Sequence, residues 1–260
     1  MKVSIITVCR NAAATIEDTI RSVLAQDYAE IEYLIVDGAS TDETVRIAER
    51  YRKQHGERLV RVISEPDRGQ YDSMNKGIAA ATGDVLGFLH ADDFFAAPST
   101  ISSIARAFTE RQVDCVYGDL DFVHPDDTAR VVRRWRSQPY EPGASLRGWC
   151  PPHPTLYIKR PIFLKMGGFS LRYKIAADID FMTRLFECER ASSHHVPEVL
   201  VIMRAGGASN KNLRNIARAN WESWIAARRA GLRVGPWYML RKPLSRVKQL
   251  FHRDPSPDVL

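Results

Sequence analysis

The sequence predicts an α/β fold: a mostly parallel central sheet with helices on both faces, a small antiparallel element, and a helical C-terminal extension. Three observations carry this. Short β-branched runs alternate with amphipathic stretches through the first half, the alternation stops near Gly118, and residues 211–260 turn helical and basic. A parallel strand pair needs a crossover long enough for a helix, so this alternation reads as successive βαβ units.

Val3–Val8 is apolar and β-branched and predicts a buried strand, followed by a helix over Ala13–Gln26 with Ile16, Ile20, Val23 and Leu24 on one face. Tyr33–Val36 is the second strand. Either Thr41 or Asp42 caps the helix that follows, Glu43–Tyr51. Val60–Ile63, Val85–Leu89 and Val113–Tyr117 read as further strands, and Ser73–Ala81 and Thr100–Arg111 as the helices between them. Beyond Gly118, Asp119–Val123 and Arg130–Trp135 pair as a hairpin around His124-Pro-Asp-Asp127. Thr155–Ile158 is strand-like, Pro161–Met166 and Asp178–Glu187 are helical, and Val196–Met203 is a strand broken by Pro197. Two helices, Leu213–Ala230 and Pro236–Phe251, finish the chain. The economical division is a catalytic domain over residues 1–210 and a basic extension over 211–260.

Composition narrows the class. The chain is 45% hydrophobic and 26% charged, and no apolar run reaches the ~18–20 residues needed to cross a bilayer. The four cysteines are scattered with no CxxC pair, which argues against a zinc site or disulfide framework and fits a reducing cytoplasm. The net charge of +6 is concentrated in the tail: between Glu222 and Asp254 lie eight basic residues and no acidic one. A nucleic-acid binder would spread its cations over a folded face, so no nucleic-acid partner is expected.

The polar residues that carry chemistry fall at the carboxyl ends of strands, where open α/β sheets bind ligands. Leu89-His-Ala-Asp-Asp93 places two adjacent carboxylates at the end of a buried strand. Such a pair serves either as a helix cap or as oxygen ligands for a hard divalent cation such as Mg²⁺ or Mn²⁺. Val36-Asp-Gly-Ala-Ser-Thr-Asp42 puts Asp37 at a strand end, followed by small residues that admit another group close to the backbone. Between Glu65 and Gly77 the chain is dense in polar groups, and Arg68 and Lys76 supply positive charge suited to a diphosphate. Neither GxxxxGK[ST] nor GxGxxG occurs, which excludes P-loop and dinucleotide-binding readings.

In their order and spacing, Ser4-Ile-Ile-Thr-Val8, Val36-Asp-Gly-Ala-Ser-Thr-Asp42, Asp67-Arg-Gly-Gln-Tyr-Asp-Ser-Met-Asn-Lys-Gly77 and Leu89-His-Ala-Asp-Asp93 resemble the family 2 glycosyltransferases. The resemblance covers residues 1–210 and is to the bacterial branch that builds surface polysaccharides and glycolipids. It implies a GT-A, Rossmann-like fold and a nucleotide-diphosphate sugar as donor. Thr7, Asp37, Arg68, Lys76 and Asp93 would then contact the donor, and Asp92 would ligate the metal. His90 departs from the family, standing where an aspartate or asparagine is usual. The family's base aligns with Asp178 in Gly167-Gly-Phe-Ser-Leu-Arg-Tyr-Lys-Ile-Ala-Ala-Asp178. Read from the residues alone, Asp178 and Asp180 remain alternatives, since two positions apart on a helix they point in different directions.

These parts would support a single displacement with inversion. The acceptor is expected to be a saccharide or a lipid-linked hydroxyl. His153, set between prolines, either touches substrate or hydrogen-bonds structurally. Gly206-Gly-Ala-Ser-Asn210 is either a closing loop or an ordinary turn. Arg133, Arg134 and Arg136 read as a solvated hairpin face, with contact to a phosphorylated acceptor as the alternative. The tail mixes Trp237, Tyr238, Leu240 and Phe251 with cations, which suits either packing on the domain or peripheral contact with the inner face of a membrane. Competing readings are a metal-dependent nucleotidyltransferase, disfavoured by the glycine-free Arg10-Asn-Ala-Ala-Ala14, and a non-catalytic membrane-associated partner of another transferase.

Overall fold

A computed structural model of the chain describes residues 1–56, 59–206, 213–235 and 238. The elements run β1 (Val3–Cys9), α1 (Ile16–Leu24), β2 (Ile31–Asp37), α2 (Thr44–His55), β3 (Val60–Ser64), α3 (Gln70–Ala80), β4 (Val85–Phe88), β5 (Asp93–Phe95) and α4 (Thr100–Arg111). They continue with β6 (Cys115–His124), β7 (Asp127–Trp135), β8 (Tyr157–Lys159), α5 (Arg160–Met166), α6 (Ala177–Thr183), β9 (Ser193–Arg204) and α7 (Leu213–Arg229).

Among the described residues the strands form one sheet in the order β3-β2-β1-β4-β8-β6-β9-β5, with β7 added to β6. β1, β2, β3 and β4 are mutually parallel, so their carboxyl ends share one edge. β8 runs antiparallel between β4 and β6, and β9 returns parallel to β6. Every residue of β1 and β2 is buried. Alternate side chains feed two apolar layers: Ile5, Tyr33 and Ile35 pack with α1 and α4 on one face, while Ile6, Leu34 and Val36 pack with α3, α5 and α6 on the other.

Three strand predictions are corrected. The strands expected at Val113–Tyr117 and Asp119–Val123 are one strand, β6, which runs through Gly118; a Cβ there would lie 2.5 Å from the Leu200 side chain. Pro197 does not break β9. The register passes from Tyr117↔His195 to Asp119↔Val199, so the proline sits in a bulge, where its missing N–H removes no ladder bond. β5 is a strand with no sequence signal, three residues paired to Val201–Met203. The second helix begins at Thr44, with Asp42 accepting the Thr44 N–H at 3.0 Å, and α3 begins at Gln70, three residues before the expected start. Pro236–Phe251 lies outside the described residues except for Tyr238, as does Gly206-Gly-Ala-Ser-Asn210 beyond Gly206.

Glu32, 3% exposed on β2, ties the amino edge of the sheet together. It accepts from Ser4 Oγ at 2.6 Å and from the Thr82 N–H and hydroxyl, each at 2.8 Å, with Lys2 Nζ at 3.4 Å. Burial alone would raise its pKa, but these hydrogen bonds and the lysine charge prevail and hold it down at about 2, against an ordinary 4.5. A depressed folded-state value means the stabilisation is complete above pH 4.5 and is lost as the pH falls toward about 2. Glu32→Gln is expected to lower stability at neutral pH by about 1–3 kcal/mol. The gap to wild type should narrow through that acid window, as followed by circular dichroism in urea.

Candidate active site

The carboxyl ends of β1 and β4, the β3–α3 connection, the start of α6, the β6–β7 hairpin and the inner side of α7 enclose a cavity of about 1010 Å³. That is the upper end of the range usual for small-molecule sites. Asp92 and Asp178 both line it.

Asp92 sits in the turn between β4 and β5. The turn is closed by the Asp93 N–H donating to the His90 carbonyl at 3.0 Å. From β9, Arg204 donates to the Asp92 carbonyl at 2.7 Å and to Asp18 Oδ2 at 2.6 Å. The backbone is thus held without using the Asp92 carboxylate, which forms no hydrogen bond or ion pair among the described residues. Asp93 faces the other way. Its side chain is 0% exposed, neither carboxylate oxygen finds a hydrogen bond, and burial followed by the neighbouring Asp92 charge pushes its pKa well above the ordinary value. It lies buried under the turn, outside the cavity wall where a donor contact would have to be made.

Asp178 is the second residue of α6. An aspartate near a helix start commonly caps it, but α6 has no side-chain cap, and another element holds the residues leading into it. Glu222 of α7 accepts the N–H groups of Lys174 (3.2 Å), Ile175 (2.9 Å) and Ala176 (3.1 Å). Tyr71 donates to the Ile175 carbonyl at 2.7 Å and lies 3.2 Å from Asp178 Oδ1. Burial and then the Asp178 charge raise the Tyr71 pKa, so its hydroxyl stays a donor. Asp180 is 6% exposed, bonded to Arg184 Nε at 3.0 Å, and absent from the cavity wall. Of the two aspartates, only Asp178 reaches the cavity.

His90 and His153 line the same cavity. Their rings are 6.1 Å apart, and His153 stacks on Phe88 at 5.6 Å. Burial lowers both pKa values, that of His153 to about 4, against the opposing charge of Asp178. His153 is therefore neutral at neutral pH.

The other residues expected at the donor lie outside the cavity wall. Thr7 is fully buried beneath it, accepting from the Tyr33 hydroxyl at 3.1 Å; strand alternation presents Val8 to the cavity instead. The Asp37 carboxylate, 1% exposed, takes the Ser40 N–H at 2.9 Å and the Ser64 hydroxyl at 2.8 Å, along with the Ser40 hydroxyl. Gly38 after it is close-packed: a Cβ would lie 2.1 Å from Asp67 Oδ2. Arg68 pairs with Asp72 at 3.0 Å, and Lys76 with Glu65 at 2.9 Å and the Pro66 carbonyl at 2.7 Å. The loop carries its own counter-charges. Arg10 lines the cavity, and nothing in the motif pattern singled it out. On the hairpin, Arg133 lies 3.8 Å over the Phe122 ring and Arg136 pairs with Asp121 at 2.7 Å.

Residues 4–179 match the family described as Glycosyl transferase family 2. The chain belongs to that family. It is a glycosyltransferase, and its relatives agree. A Mycobacterium bovis protein named PGL/p-HBAD biosynthesis glycosyltransferase is 33% identical over 215 residues, covering 80% of this chain and 78% of the relative. Two solved structures share the GT-A fold. S. aureus TarS superposes with a TM-score of 0.69 at 18% identity, over 97% of this chain and 73% of its own. The mannosyltransferase PcManGT from Pyrobaculum calidifontis, in complex with GDP-Man and Mn²⁺, gives 0.66 at 20% identity over 98% and 76%. No helix among the described residues of this family 2 transferase is long and apolar enough to cross a membrane.

Proposed function

We propose that this transferase moves a sugar from a nucleoside diphosphate donor onto a hydroxyl of a saccharide or lipid-linked acceptor in surface glycoconjugate synthesis. Transfer proceeds by one inverting displacement. The observation that carries the reading is that Asp92 and Asp178 line one cavity together with His90 and His153. TarS has been solved with UDP-GlcNAc and PcManGT with GDP-Man, which supports a nucleotide-sugar donor here.

In this reading Asp178 takes the proton of the acceptor hydroxyl as that oxygen attacks the anomeric carbon, and the nucleoside diphosphate leaves. Tyr71 orients one oxygen of the base and leaves the other for the acceptor, while Glu222 fixes the helix start that carries it. Neutral His153 adds no positive charge that would weaken the base.

The donor set suits a divalent cation brought with the substrate. Asp92 is a carboxylate with open acceptor capacity, and no cluster of three acidic, histidine or cysteine ligands occurs among the described residues. Mg²⁺ and Mn²⁺ are commonly held this way, by one or two carboxylates plus phosphate oxygens and water. When bound, the cation neutralises charge on the departing diphosphate. Arg68 lies between Asp67 and Gly69, which line the cavity, and Lys76 lies further along α3; each is paired with a carboxylate, and Arg68 keeps further N–H donors for a phosphate. In this reading the enzyme works in the cytoplasm.

A thermal-shift panel of uridine, guanosine and thymidine diphosphates with and without Mn²⁺ tests the reading. One base should raise the melting temperature, and the rise should need the metal. No shift with any of them at millimolar concentration would remove the donor assignment.

A further inference from the structure

The outward face of α7 is unusual in charge. Its exposed residues are Arg214, Ala217, Arg218, Trp221, Arg228 and Arg229, which 3.6 residues per turn bring onto one side as a stripe. Trp221 stands at the middle of this stripe, 51% exposed, its ring 5.2 Å from that of Trp224. Beside it runs the turn before α6, where Leu171 is 41% exposed and Arg172 and Lys174 are exposed. Arg172, Arg218, Trp221 and Arg229 line a shared groove.

Acidic residues are missing from this part of the chain. From Val199 to Arg253 the only one is Glu222. Its side chain is buried and occupied by three backbone N–H groups and by Arg218 at 2.7 Å. Glu222 therefore offsets Arg218 alone, and α7 has no carboxylate for Arg214, Arg228 or Arg229. A surface that combines several cations with an exposed indole and leucine matches a boundary that is anionic at the headgroups and apolar just beneath. An acidic protein partner would call for the charges but not for the protruding Trp221 and Leu171.

We propose that the outer face of α7 and the adjoining 170–174 turn dock this enzyme on the surface of a bilayer containing anionic phospholipid. Trp221 and Leu171 enter the interface, and the arginines and Lys174 lie against the headgroups. The same elements carry the catalytic cavity on their inner side, through Ile175, Ala176, Ala219 and Asn220. Docking would hold the cavity about one helix diameter, ~10 Å, from the lipid surface. The inference does not depend on the nature of the donor or on Asp178.

The test is co-sedimentation of the full-length chain with vesicles of phosphatidylcholine alone and of phosphatidylcholine with about a third phosphatidylglycerol, at low and raised salt. Wild type should bind the anionic vesicles only, and less at high salt. Trp221→Ala and, separately, the double variant Arg172→Glu with Arg214→Glu should each weaken binding roughly tenfold. Both variants should keep the wild-type melting temperature, which shows them folded. Failure of wild type to sediment, equal binding to neutral vesicles, or binding by either variant within twofold of wild type would overturn the proposal.

Discussion

Asp178→Asn is expected to lower the rate of sugar transfer by about two to four orders of magnitude while leaving donor binding intact. The substitution keeps the size of the side chain and an oxygen able to accept from Tyr71, which stands 3.2 Å from Oδ1 in the wild type. The helix start does not depend on the residue, because Glu222 takes the N–H groups of residues 174–176. What is lost is the basicity of one carboxylate. Single-turnover transfer assays beside a thermal-shift titration with nucleoside diphosphate separate the two effects. Wild-type turnover in this variant would remove Asp178 as the base. The companion change, Asp180→Asn, should act on stability instead, since Asp180 is buried against Arg184 and absent from the cavity.

Asp92→Ala is expected to weaken metal-dependent donor binding by tenfold or more, at the lower end of about 10–100-fold, and to depress transfer with it. The local backbone should survive, because Arg204 grips the Asp92 carbonyl rather than its side chain. Titrating Mn²⁺ at fixed nucleoside diphosphate measures the effect. If the variant kept both the wild-type affinity and the wild-type Mn²⁺ dependence, the carboxylate would have no part in holding the cation. Asp93→Asn should leave Mn²⁺ dependence unaltered, because that side chain lies outside the cavity wall, buried beneath the turn.

The order of elements was legible in the sequence because it is written in short-range physics. A strand buried on both faces needs a continuous apolar run, as Val3–Val8 has, and an amphipathic helix needs the spacing of Ile16, Ile20 and Val23. Thr100–Arg111 was placed to the residue for the same reason. β5 left no trace, since three residues cannot set up a period and this strand exists only because β9 passes beside it. The bulge at Pro197 was also invisible, because a bulge is defined by the register of two strands and not by either alone.

At the site, the sequence by itself determined which residue types stand at the strand ends, including the Asp92–Asp93 pair and the Asp178–Asp180 pair. Only the tertiary structure decided which member of each pair meets the cavity. A carboxylate's direction depends on what packs on its other side: β9 and Arg204 fix the Asp92 turn, and Arg184 draws Asp180 inward. The same holds for Thr7, Asp37, Arg68 and Lys76, whose hydrogen-bonding groups are met by Tyr33, Ser40, Asp72 and Glu65. Composition can supply a charge or a hydroxyl, but whether it remains open to a ligand depends on partners distant in the chain, which only the fold brings near.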